Sequence, residues 1–335
     1  IGLDLAMFNN RLEFTAEWYK NKSEDLLYSV PVPAQTGVSN TSVTMNAASM
    51  ENSGFEFSAT YRNRDHALKY DISANVSTLK NKVTSLGIGK DSYIAGAYAT
   101  YVGQEIGKFY GWVYKGIART QEDLDNNAVQ QGANVGDCLY EDISGPDGTP
   151  DGVIDAYDQT VLGSGLPKVN FGLSTHLEYK GFDLNISTYG VLNYHVSDDI
   201  YNSLNSCYGY GNKEVGMLDA NRWSEDGSTY LSSVPRTYAA NNATLAWNDL
   251  FSSRKIQNAA YWKIANVELG YNFPDKWFGG YVNGVRLYVS AQNLYTFTGY
   301  HGYNVDYAGG TFTPGYNFCS FPSARTFMCG LHFTF

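Results

Sequence analysis

The chain has 335 residues and a formal net charge of −10, with no run of Lys or Arg. That excludes nucleic acid as a partner, because phosphate binding needs concentrated positive charge. Aromatics reach 15%, with 28 tyrosines, a composition that suits strands and turns rather than helical bundles. No apolar run approaches the roughly 18 residues of a spanning helix, so any membrane crossing has to be by strands.

Strands announce themselves by period two, which sends successive side chains to opposite faces. Ile1, Leu3, Leu5 and Met7 alternate, and after Asn9-Asn10 so do Leu12, Phe14, Ala16 and Trp18, against Arg11, Glu13, Thr15 and Glu17. Phe55, Phe57, Ala59 and Tyr61 repeat the pattern, as do Leu68, Tyr70, Ile72, Ala74 and Val76. Weaker strands are expected near 104 to 114 and 137 to 143. Phe171 to Tyr179 then runs through Lys180-Gly181, a two-residue hairpin signal, into Phe182, Leu184, Ile186 and Thr188. Val267 to Phe273, Val285 to Ala291 and the terminal "RTFMCGLHFTF" complete about eleven strands.

Short and long connections take turns. Residues 9–10, 62–67, 180–181 and 274–284 are short, whereas 29–47, 81–103, 192–260 and 297–324 are long and rich in Tyr, Asn, Gly and Ser. That rhythm predicts an all-β fold, a transmembrane antiparallel up-and-down β-barrel with tidy turns at one end and elaborate loops at the other. Tyr61, Tyr179, Phe182, Tyr271, Phe273 and Phe335 gather at the short-turn end and read as an interfacial girdle. The apolar face carries almost no charge, as lipid demands, since a Lys or Arg at the midplane costs roughly 2 to 4 kcal/mol. The rival is a soluble β-sandwich that buries the same face. If the short turns are periplasmic, so is the C-terminus, and about eleven strands would be part of a larger barrel, because such barrels have an even strand number and both ends in the periplasm.

Several ordered blocks resemble the starch-utilisation (SusC/RagA-like) type of TonB-dependent outer-membrane transporters of Bacteroidota. They are "NNRLEFTAEWYKNKSEDLLYSVPVPAQTG", "NAASMENSGFEFSATYRN", "GKFYGWVYKGIARTQED", "DGVIDAYDQTVLGSGLPKVNFGLS", "YKGFDLNI", "LYVSAQNLYTFTGYHGYNVD" and the closing strand. The resemblance covers essentially residues 1–335 and implies the C-terminal half of a plugged barrel of about 22 strands in the outer membrane. It further implies oligosaccharide import driven through TonB, with peptide import as the alternative, a SusD-like surface lipoprotein as lid, and no enzyme activity. Phe335 looks like the terminal signal read by the barrel-assembly machinery.

Candidate sites lie in the loops. Within 144–168, "DGTPDGVIDAYD" matches the spacing of a calcium loop: Asp147, Thr149, Asp151, the carbonyl of Val153, Asp155 and Asp158 would wrap a structural Ca²⁺ or Mg²⁺, with Ile154 facing inward. The alternative is an Asp-rich turn whose carboxylates accept backbone N–H bonds. Loop aromatics with polar neighbours suit flat sugar rings or peptide side chains: Tyr194, Tyr208, Tyr210, Trp223, Tyr300, His301, Tyr303 and Asn304. None of His66, His176, His195, His301 and His332 sits in a catalytic motif, and Glu56 and Asp71 read as parts of a wet lumen wall rather than an acid/base couple. A disulfide among Cys138, Cys207 and Cys319 is left open, and Cys329 is read as a small apolar filler. A barrel enzyme and a soluble calcium-dependent binding module are the remaining rivals.

Overall fold

Nine strands form one continuous antiparallel wall, each hydrogen-bonded to its neighbours in chain order. They are β1 (Gly2–Met7), β2 (Leu12–Pro31), β3 (Ser42–Asn63), β4 (Leu68–Thr78), β5 (Val169–Tyr179), β6 (Phe182–Leu192), β7 (Tyr261–Phe273), β8 (Gly284–Thr298) and β9 (Thr326–Thr334). The computed structural model describes residues 1–31, 42–87, 89–207, 212–215, 222–224, 232–237, 247–277, 284–307, 309–318 and 320–334. Among these, β1 and β9 each pair on one side only, so the wall is an open arc.

The register puts the apolar sets of neighbouring strands in common rows. Met7, Leu12, Tyr61, Ile72, Thr175, Ile186, Val267, Ala291 and Phe327 form one row across all nine strands. A lower row runs Leu68, Tyr179, Phe182, Tyr271, Leu287, Leu331. Among the described residues none of these side chains is buried: Phe327 is 69% exposed, Leu331 58% and Phe182 53%. A sandwich would bury them, so that rival falls. Because side-chain period is two, any slip by one residue would turn a whole row to the other face, and the rows themselves fix the register.

One place breaks the period. Ser187 pairs with Asn266 and Thr188 with Ile264, leaving Ala265 as an extra residue in β7. On the other side Asn266 pairs with Gln292 and Ile264 with Tyr295, and Asn293 takes a left-handed φ of 52°. Strict alternation would carry Lys263 and Tyr261 outward. The bulge instead sends Ile264 and Trp262 outward and turns Lys263 inward, where it is 4% exposed. It thereby builds a second aromatic belt near the loop end, in which Trp262 stacks on Phe297 at 5.4 Å and Phe297 meets Tyr295 at 4.7 Å.

The expected belt at the short-turn end is present in Tyr61–Tyr70 (5.9 Å), Phe182–Tyr271 (4.6 Å) and Tyr271–Phe273 (5.0 Å). Trp262 and Tyr271 lie nine residues apart, which at about 3.3 Å per residue and a tilt near 40° is roughly 23 Å of depth, close to the apolar band of outer-membrane barrels. The turn between β5 and β6 has φ of 48° at Lys180 and 88° at Gly181, the two positive values of a type I′ hairpin. A Cβ on Gly181 would also sit 3.0 Å from the Asn272 carbonyl oxygen.

Among the described residues nine strands follow one another along the wall. The expected strands near 104–114 and 137–143 exist, but in small sheets outside the wall: Lys108–Gly111 pairs with Tyr98–Tyr101 and Thr160–Ser164, and Tyr114–Ile117 with Cys138–Tyr140. Their apolar residues serve those small sheets instead, with Phe109, Cys138 and Tyr140 at or near zero exposure. Residues 79–168 thus form one long connection between β4 and β5. Residues 29–47 shrink to a connection of 32–41, because β2 and β3 extend well above the apolar band. Lys80–Ser85 folds back onto the upper half of β3.

Candidate functional site

The connections at one end of the wall fold against each other as a body with its own core. Asp137, buried in the connection 79–168, receives two hydrogen bonds from Arg236 (2.7 and 2.8 Å) and one from Asn248 (2.8 Å), both of the connection between β6 and β7. Asn248 in turn accepts from the Cys138 amide at 2.7 Å. The Trp112 amide donates to the Phe251 carbonyl at 3.2 Å, and the Tyr114 amide to the Ser253 hydroxyl at 3.0 Å. Gly111 permits this approach, since a Cβ there would lie 2.1 Å from the Phe251 oxygen.

A second knot ties in the connection between β8 and β9. Asp198 is 3% exposed and caps the helix Asp199–Leu204 (α1) by accepting from the Tyr201 amide at 2.8 Å. Its other oxygen accepts from the Tyr300 hydroxyl and from Asn317 (3.1 Å), while Asn317 also donates to the Tyr300 oxygen at 2.8 Å. Three donors satisfy a carboxylate that no cation reaches among the described residues, as a buried charge requires.

The predicted aromatic site divides. Tyr194 (3% exposed) and Tyr300 (6%) are packed with Val196, Ala259, Tyr261 and Val305, and burial pushes both phenols up in pKa. They hold the loops together, and their ring faces are not open to cargo. Trp223 is likewise buried, with its ring against Gly136. Tyr303, His301 and Asn304 remain at the surface. Tyr303 and Asn304 line a cleft of about 320 Å³ with Lys263 and Arg325, and His301 stacks on Tyr201 at 5.7 Å. Tyr208, Tyr210, Cys319 and Phe335 lie outside the described residues. Cys138 and Cys207 are free and buried, with the Cys138 thiol pushed up to about 12 by burial, and Cys329 is exposed on the outward face of β9.

At the calcium-loop stretch no metal site is found among the described residues. Asp158 is fully buried, and its two oxygens accept from the amides of Ile143 (2.8 Å), Ser144 (3.2 Å) and Asp155 (2.8 Å). Asp155 accepts from the Tyr157 amide at 2.7 Å and Asp151 from the Val153 amide at 3.0 Å, while Asp147 and Thr149 point to solvent. Among the described residues no three acidic, His or Cys side chains converge. The residues fit the alternative reading, in which carboxylates close turns by taking backbone donors, and no chemistry is derived from an ion here. Ile154 does face inward, at 3% exposure.

The inner face of the wall is a chain of paired polar groups. Arg286 binds Asp183 and also Glu268 (2.7 Å), and Asn272 donates to Asp183 at 2.9 Å. His176 bridges Asn185 (2.6 Å) and Glu178 (2.9 Å), and Lys69 reaches Glu178 at 3.4 Å. Asp71 is engaged by Arg64 at 2.6 Å, while Glu56 faces Glu17 across the strand pair, so Glu56 and Asp71 do not form a couple. At the loop end Lys263 meets Asp306 at 2.5 Å, and the Tyr189 hydroxyl donates to the same carboxylate at 3.2 Å. Sequence reasoning missed Asp198, Asp137 and Lys263. Only the Asp-Asp-Ile-Tyr run after β6, a helix-start signal, pointed toward the first.

A wall greasy on one side and charged on the other, carrying a structured loop body, invites comparison with known proteins. No family model matches the chain. TonB-dependent receptor P3 of Formosa agariphila is 32% identical over 354 residues, covering 100% of this chain and 33% of that protein. TonB-dependent receptor SusC of Bacteroides thetaiotaomicron is 27% identical over 354 residues, covering 100% of this chain and 31% of its own length. This chain is homologous to TonB-dependent receptors of the SusC type. A structure of the RagAB peptide transporter superposes with a TM-score of 0.78 over 98% of the chain and 34% of that one, at 23% identity, which fixes the fold as transmembrane β-barrel wall. The chain spans about a third of the length of the curated relatives it matches.

Proposed function

We propose that this wall and its loop body belong to an outer-membrane importer that takes up oligosaccharides through a TonB-dependent cycle. The observation that carries the reading is the uncharged outward band, in register over nine strands, beneath loops knotted into one receptor-like body. Homology over the whole chain to SusC-type receptors supports it. In this reading the loops and a SusD-like surface lipoprotein enclose cargo, TonB acts on the far side, and the C-terminus lies in the periplasm after insertion by the barrel-assembly machinery. The ion-paired inner wall provides a hydrated passage rather than a tight site, and no covalent chemistry is assigned to it. Surface residues Tyr303, His301 and Asn304 are the part of the predicted aromatic set that can meet cargo.

The test is uptake of labelled oligosaccharides and of labelled peptides by cells with and without the receptor, before and after the proton gradient is dissipated. Gradient-dependent oligosaccharide uptake that vanishes with the receptor supports the proposal. Peptide uptake with the same behaviour moves the cargo to peptides, and uptake indifferent to both manipulations overturns the import reading.

A further inference from the structure

Where the connection 79–168 meets the one between β6 and β7, a cleft of about 290 Å³ opens between the knots already described. Tyr114 stands on one side, Tyr201, Asn202 and Asn205 of α1 and its C-terminal cap on another, and Arg254 and Lys255 on the third. The cleft is cationic in a chain whose net charge is −10. The two cations are not alike. Lys255 is spoken for: its ammonium donates to the Asp249 carbonyl and lies 4.0 Å from the Asp249 carboxylate. That carboxylate also accepts from the Ser206 hydroxyl (2.8 Å) and the Cys207 amide (3.1 Å). Glu214 is held by Asn205 at 2.8 Å and stays at the exposed rim.

Arg254 has no carboxylate and no carbonyl. Among the described residues it makes no ion pair and no hydrogen bond, although it is half-buried. Besides the cationic Lys255, the titratable groups around it are Cys138, Cys207, Tyr114 and Tyr140. Burial pushes the first to about 12 and the other three upward, so all four are neutral near pH 7 and leave the guanidinium uncompensated. A half-buried cation without a partner is a standing cost to the fold. A planar donor fork opening into a cleft, with hydroxyls and amides beside it, is what receives a carboxylate in two parallel hydrogen bonds.

We propose that this seam cleft is a carboxylate-binding subsite of the receptor, with Arg254 taking the anion and the Tyr114 and Tyr201 rings flanking the group that bears it. The proposal rests on the import reading and deepens it by naming the cargo chemistry as acidic. A carboxylate comes equally from a uronic acid unit or from a peptide terminus. His301, whose ring stacks on Tyr201, steadies one wall of the cleft from outside.

The experiment measures binding to the full-length receptor by titration calorimetry with two matched pairs: a short oligouronate and its methyl ester, and a short peptide with a free or amidated C-terminus. The charged member of one pair is expected to bind about 10- to 100-fold more tightly, the range of one charge-assisted recognition. The pair that discriminates identifies the source of the carboxylate. Arg254→Gln should erase the preference for the charged member, and Arg254→Lys should keep a fraction of it at low salt. Equal binding of charged and neutral members, or a preference that survives in Arg254→Gln, overturns the subsite while import stands. Binding of neither pair also overturns it, and the uptake assay then decides separately whether the import reading survives.

Discussion

Asp158 shows what single side chains do in the loop body. Its carboxylate satisfies three amides at once, so Asp158→Ala leaves three part-buried donors without it, and a cost of about 1 to 3 kcal/mol falls on that loop. Hydrogen exchange of residues 142–158 should accelerate while the wall strands keep their protection, and adding calcium should restore nothing; recovery with calcium would favour an ion in this loop. Tyr300→Phe acts the same way at the second knot, removing one of three donors from Asp198, and faster proteolysis within 299–325 is the expected readout. His195, in the short strand His195–Asp198, gives the loop body a pH dependence. Burial lowers its pKa below the usual 6.5, so the unfolded loop binds the proton more readily than the folded one. The loop body is therefore at full stability above pH 6.5 and loses it as the pH falls below that value. Protease sensitivity rising on acidification, and flattened in His195→Gln, is the expected result.

At the scale of elements, alternation makes most of the wall readable from sequence, because lipid on one side and water on the other impose period two along nearly every strand. It failed in two instructive places. The strands at 108–111 and 138–140 are apolar for a different reason, a dry layer of their own, and a sequence pattern cannot say which layer a strand joins. The upper half of β7 escaped because Ala265 interrupts the count, so Trp262 and Ile264 looked like members of the wrong face. The candidate site was less legible still. Aromatic loop residues were the right class, but Tyr194 and Tyr300 proved to be the glue, and nothing local marks Arg254 or Asp137 as special, since their meaning comes from a residue about a hundred positions away. Two substitutions test the element-level claim. Leu173→Arg places a charge in the outward band and should lower assembled receptor in the membrane severely, at a cost of roughly 2 to 4 kcal/mol, whereas Ser174→Arg, one residue on and facing the inner side, should assemble normally. Equal yields of the two would contradict the assignment of faces.

For the molecule as a whole, the long connections are not appendages of the wall but a second structured layer, bonded across all three at Asp137 and Asp198. Whatever displaces one connection must move the others with it, which is what the proposed import function would require of this layer. Deleting Ala265 tests how the two layers are joined, since it removes the extra residue while plain alternation then keeps Ile264 outward and Lys263 inward beside Asp306. Folded protein in normal yield is expected, and its loss would contradict the reading of Ala265 as the extra residue.

The wall is a single sheet, one residue thick, with its oiliest atoms on the outside. Such a molecule has no interior in which to hide them, and the amphiphile around it takes the place of the missing core. Its cohesion comes from the ladder of backbone bonds and the ionic lattice of the inner side, both of which strengthen as water is kept away. Heat should therefore part the strands late and all together while a lipid or surfactant collar is intact, and stripping that collar should precipitate the protein at temperatures where its ladder would otherwise hold.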